Sequence, residues 1–321
     1  MDPFNGLSPE IRIMILGQIA SHANASRLIR ASPIMHSQYT SSKSSPLHVF
    51  LTNMAGTGND YHDILQDALG IIYLNDSWND KQLIPYCARQ WTMKNFPSPF
   101  LRADTNTIAT LRRLSARICQ HVEDYINKAT SPFPPAAYLG IPQTSCIGGI
   151  VAKRLTVDDL TWTELYRFFR AFIKYEILCK IHHPRIERSM DRGQYRNLSR
   201  DSTLGLSSLD YESLHCVNAY IQAVYDGLFA GCSNTWSREV YETSSTPSKK
   251  RRGKSLLYPD KLHFSSHTFF DELPLPYGYG NISTNLSHLG LNLLTHLLRP
   301  AFRKEQKNEI LRTWLYSVSA E

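Results

Sequence analysis

The chain has 321 residues, 42% apolar and 20% charged, with a formal net charge of +7; this suits about two domains of usual size with a substantial core. Five of the positive charges fall at Lys249, Lys250, Arg251, Arg252 and Lys254, leaving +2 for the rest, so a broadly basic nucleic-acid-binding surface is not expected. The sequence has no uninterrupted apolar run of about 18 residues and no leader-like apolar segment, so neither secretion nor a membrane partner is expected. Six scattered cysteines without a Cys-x-x-Cys pair fit reduced thiols of the nucleus or cytoplasm rather than a disulfide framework.

The N-terminus carries two Ser-Pro pairs, Ser8-Pro9 and Ser32-Pro33, each of which reads as a helix start. Serine can satisfy orphan N–H groups, and proline at the first helical position loses nothing by lacking its own. After Pro9, Ile11, Ile15 and Ile19 recur at i, i+4 and i+8, and Met14 and Leu16 widen the stripe. Asn24 or Ser26 can cap a middle helix bearing Leu28 and Ile29, and Pro33 opens a third with Ile34, Met35 and Tyr39. Three amphipathic helices this short bury too little surface to stand alone, so they need another domain or another protein.

Residues 40–59 are rich in Ser, Thr, Gly and Asn, and 46–59 read as a linker, with Leu47, Val49, Phe50 and Leu51 as a docking point. A helical body is expected over 60–230. Its first helix, near 60–75, would be capped by Asp60. Residues 92–101 should be extended or turned around Pro97 and Pro99. From Thr105, Ile108, Leu111, Ser115, Ile118, Val122 and Tyr125 step by three and four. Thr161-Trp162-Thr163-Glu164 matches a capping box, and the helix it opens, through Ile181, holds the largest aromatic content of the chain. Residues 184–207 read as a polar loop, 209–229 as a helix, and 231–282 as an irregular basic loop. Two helices complete residues 283–321, separated by Pro300. The expected fold is all-α: a short N-terminal three-helix unit over 1–45, then an irregular multi-helix domain with long loops.

Leu7, Pro9, Glu10, Ile11, Ile15 and Leu16, followed by Leu28-Ile29-Arg30-Ala31-Ser32-Pro33, resemble the divergent F-box-like segment that begins many filamentous-fungal proteins. Ser8 stands where that pattern commonly has proline, and no tryptophan closes the third helix. The resemblance implies that residues 1–45 dock the Skp-type adaptor of a cullin–RING ubiquitin ligase through Leu7, Pro9, Ile11, Ile15 and Leu16. The rest of the chain would then select a protein substrate, and the chain itself would be no enzyme. The alternative is a nuclear helical interaction protein without a ligase role, in which the same helices complete the core.

Other chemistries find little support. Ala55-Gly56-Thr57-Gly58-Asn59 lacks the third glycine and the Lys-Ser/Thr of a phosphate loop. Cys119-Gln120-His121 and His182-His183 are not spaced as helical zinc ligands, so no metal and no cofactor is expected, and His182-His183 reads as a helix C-terminus favouring imidazolium. Lys249 to Lys254 reads as a nuclear-import signal for an acidic-grooved importin-type carrier; without interleaved aromatics it gives no reason to expect a nucleic-acid partner.

Overall fold

Pro9 and Pro33 each stand at the first position of a helix. The two helices they open begin an all-α chain in the computed structural model, which describes residues 2–42, 44–78, 80–131, 155–232 and 286–298. The helices are α1 (Pro9–Gln18), α2 (His22–Ala31), α3 (Pro33–Ser41), α4 (Ser44–Ala55), α5 (Asn59–Asp76), α6 (Leu83–Thr92), α7 (Thr105–Ala129), α8 (Trp162–Ile181), α9 (Pro184–Arg188), α10 (Arg192–Thr203), α11 (Ser208–Cys232) and α12 (Leu291–Leu297). A 3-10 turn, Val157–Asp159, precedes α8, and the described residues contain no strand. The chain divides into two compact units, Met1–Asp124 with Arg154–Leu214, and Tyr125–Lys153 with His215–Glu321. The division falls inside α7 and α11.

In the first unit α5 is the central element. Every residue from Ile64 to Ile72 is buried, including Gln66 and Asp67, as expected of a helix packed on all sides. Both of these polar side chains are matched. Gln66 donates to the Phe96 carbonyl at 2.9 Å and accepts from the Phe96 N–H at 2.9 Å. Asp67 accepts from the Trp91 indole N–H and faces the Lys174 ammonium at 2.8 Å. Gly70 allows the close approach of α6 and α8, because a Cβ there would lie 2.6 Å from Trp91 Cδ1 and 3.1 Å from Ile177 Cδ1.

The expected capping box is present: Glu164 N–H donates to Thr161 Oγ1, and Thr161 N–H donates to the Glu164 carboxylate at 2.9 Å. Leu165, Phe169, Phe172, Ile173 and Ile177 of α8 are buried as the spacing required. Phe50 and Phe169 meet edge to face at 6.1 Å between α4 and α8.

Several expectations are corrected. Residues 46–59 are no linker: α4 occupies most of them and buries Pro46, Leu47, Phe50, Leu51 and Met54, which step by three and four. Their burial makes them core rather than a docking point. The first helix of the body has Gly58, not Asp60, at its N-cap. The middle N-terminal helix is capped by Ser21, not by Asn24 or Ser26; Ser21 Oγ accepts from the Asn24 N–H. Residues 184–207 contain α9 and α10. Asp191 starts α10 by accepting from the Gly193 and Gln194 amides, each at 2.9 Å.

In the second unit, Tyr125 and Tyr220 pack edge to face at 5.5 Å, and burial pushes the Tyr125 phenol up to about 12. Ser287 donates to Asn218 Oδ1 at 3.0 Å, and Leu286, Leu291, Leu294 and Leu297 are buried. The run Lys249 to Lys254 and the expected helix after Pro300 lie outside the described residues.

Candidate docking face on the N-terminal helices

Helix α1 is apolar on two sides. At about 100° per residue, Ile13, Leu16 and Gly17 fall on one side and Ile11, Met14, Ile15 and Gln18 on the other. The first side faces α4: Leu16 is 5% exposed, and a Cβ on Gly17 would come within 2.3 Å of Val49 Cγ1. On the second side Ile11 remains 43% and Met14 52% exposed, with Pro9 exposed and Leu7 and Ile15 half-buried. Of the five sequence-predicted contacts, Leu7, Pro9, Ile11 and Ile15 therefore lie at or near the outer edge. Leu16 does not, because it completes the chain's own core. Met14 belongs with the outer set, and its position three residues after Ile11 was the available signal.

The face is fixed from behind and at both ends. Arg12 reaches back to the Phe4 and Asn5 carbonyls, both at 3.1 Å, folding residues 2–7 against the helix. Asp2 then bridges to α3: its carboxylate accepts from Ser32 Oγ–H at 2.6 Å and from the Ile34 N–H at 3.3 Å. The Ser32 hydroxyl, then the Phe4 amide, hold the Asp2 carboxyl below its usual range. Ser32 also caps α3, accepting from the Met35 N–H at 3.1 Å. Ser8 behaves differently from Ser32. It makes no side-chain cap bond, and its hydroxyl joins the Glu10 backbone in holding the Glu10 carboxyl low. At the far end, Asp158 accepts from the Ser21 N–H at 2.8 Å and from Asn24 Nδ2 at 2.6 Å, pinning the start of α2.

Among the described residues no cluster of three or more His, Cys, Asp or Glu side chains could hold a metal ion. His121 stacks on Phe172 at 6.4 Å, and burial pushes the neighbouring Cys119 thiol far up, so neither is poised as a ligand or nucleophile. His183 does not act as a C-terminal imidazolium. It caps α9, with Nδ1 accepting from the Arg185 N–H at 3.1 Å, and burial followed by the charges of Lys180, Arg185 and Arg188 pushes its pKa down to about 4. No helix among the described residues is long and apolar enough to cross a membrane. Comparison with protein-family models, curated proteins and solved structures gives no match.

Proposed function

We propose that the chain is an F-box-like adaptor whose outer α1 edge, Leu7, Pro9, Ile11, Met14 and Ile15, docks a Skp-type subunit of a cullin–RING ubiquitin ligase. The observation that carries this reading is the exposure of Ile11 and Met14, 43% and 52%, on a helix whose opposite side is packed against α4. Exposed apolar side chains grouped on one rigid helix edge are what a protein partner buries. The helical body would present an unidentified protein substrate and supply no chemistry of its own. The run Lys249 to Lys254 would be read by an importin-type carrier, placing the chain in the nucleus for part of its life.

The test is a pull-down of purified chain with the host's Skp-type adaptor, comparing wild type with Leu7→Ala/Ile11→Ala at low and high salt. Truncating two partly exposed side chains should weaken an apolar interface by about 2 kcal/mol, about thirtyfold, with little salt dependence and an unchanged fold. No binding by folded wild type would overturn the proposal.

A second reading has its own support. Leu16 and Gly17 are continuous with the core of the first unit, as expected if the N-terminal helices are simply part of a nuclear helical interaction protein. Deletion of residues 1–41 separates the two: an adaptor loses its partner and keeps a folded body, whereas a core element takes the body's cooperative unfolding with it.

A further inference from the structure

A cleft of about 350 Å³ opens among α1, α2, α3, α4 and α7, away from the outer edge of α1. Ile29, Leu47, Phe50 and Cys119 give it an apolar wall, while Arg30, His36, Tyr39 and Arg112 bring cationic and hydroxyl groups to it. No acidic side chain lines it among the described residues. A site of this size, mostly apolar with a few converging polar groups, is the usual form of a small-molecule site.

Two details indicate the occupant. Ser115 is 4% exposed, lines the cleft, and its hydroxyl has no hydrogen-bond partner. A buried orphan hydroxyl is costly and rare, so this one is suited to a polar ligand atom. One turn earlier on the same face of α7, Arg112 donates to the Tyr39 hydroxyl oxygen. That bond uses one of the five guanidinium N–H groups and leaves the Tyr39 O–H free to donate. Arg112 and Tyr39 thus form a paired donor set matched to a carboxylate, with Arg30 adding a second positive charge.

We propose that this cleft binds a small amphipathic carboxylic acid. Its carboxylate takes hydrogen bonds from Arg112 and Tyr39, and its apolar chain lies against Leu47, Phe50 and Cys119. At about 30 Å³ per water-sized group, the volume holds roughly a dozen non-hydrogen atoms, the size of a ten-carbon acid. Bound there, the acid would tie α2 and α3 to α4 and α7. The site is independent of adaptor docking, since the outer edge of α1 takes no part in it.

The experiment titrates the full chain with decanoate, decanol and decylamine by calorimetry and thermal shift near neutral pH. These share one tail and differ in the head group. Decanoate should bind with a dissociation constant on the order of 0.1–1 mM, at least tenfold tighter than decanol or decylamine. Arg112→Gln/Tyr39→Phe should remove that preference. Ser115→Ala should weaken decanoate several-fold while leaving the melting temperature of the ligand-free chain unchanged or raised, since it deletes an unsatisfied hydroxyl. Ala116→Phe fills the cleft without touching its charges and should abolish binding of decanoate in a folded chain. It covers the case in which the Arg112 variant fails to fold. Equal affinity for the three ligands, or decanoate affinity undiminished in Ala116→Phe, would overturn the proposal.

Discussion

The Trp91 indole N–H donates to Asp67 Oδ1 at 2.8 Å inside the first unit, while Lys174 Nζ approaches the other carboxylate oxygen at 2.8 Å. Asp67 lies on α5, Trp91 on α6 and Lys174 on α8, so one carboxylate ties three helices together. Trp91→Phe keeps most of the ring volume and removes the donor. The loss of a hydrogen bond to a buried charge should cost about 1.5–3 kcal/mol, measured by urea unfolding. Asp67→Asn should cost at least as much, because Lys174 then loses its counter-charge; a cost below 0.5 kcal/mol for both would show that the network adds nothing to stability.

Gly17 and Val49 set how closely α1 approaches α4. A Cβ at residue 17 would overlap Val49 Cγ1 at 2.3 Å, and valine in a helix has little χ1 freedom with which to move aside. Gly17→Ala should therefore destabilise by about 1–3 kcal/mol despite the better helix propensity of alanine. Adding Val49→Ala should recover part of that loss, and the non-additivity of the double-mutant cycle measures the clash directly. If Gly17→Ala is neutral or stabilising, the close contact is not there.

How far the sequence disclosed these features depended on whether a local signal existed. Thr161 and Glu164 were legible because a capping box is a four-residue pattern with one geometric solution. The Ile11–Ile15 stripe was legible as a stripe, but its direction was not: Ile13 and Leu16 offer a competing apolar side, and periodicity does not say which side faces inward. Helix α4 was missed because Ser44, Ser45, Thr52, Asn53, Gly56 and Gly58 surround Leu47, Phe50, Leu51 and Met54 with loop composition. Helix α10 buries only Leu198 and Ser202, which leaves no apolar period to detect. The cleft could not be seen at all, since its walls come from five helices whose residues meet only on folding.

Asp158 holds α2 from 134 and 137 residues away, accepting from Asn24 Nδ2 and the Ser21 N–H. Asp158→Ala should leave α8 intact and loosen α2, at a cost of about 1–2 kcal/mol. The check is local: amide exchange should quicken across His22–Ala31 before it does in α5 or α8. Uniform acceleration of all helices would instead mean that α2 opens only with the whole unit.

His183 provides a pH test with a defined sign. Its folded-state pKa lies at about 4, below the 6.5 usual for an imidazole, because burial and then Lys180, Arg185 and Arg188 disfavour the imidazolium. As the cap of α9 it must also keep Nδ1 unprotonated to accept from the Arg185 N–H, and its ring packs against Trp78 at 4.5 Å. Between these pKa values the unfolded chain binds a proton that the folded chain does not. This contribution is therefore present in full above about pH 6.5 and lost as the pH falls toward 4. For a half-buried ring, discounted for solvent screening, the loss is about 1 kcal/mol. The carboxylates held low by hydrogen bonds, among them Asp2, Asp104 and Glu164, lose their contributions as the pH falls below their ordinary range near 4, a lower window than that of His183. His183→Asn keeps an acceptor at the cap but cannot titrate. Urea midpoints measured from pH 7 to 4.5 should fall in wild type and fall less in the variant; parallel curves would remove His183 as the cause.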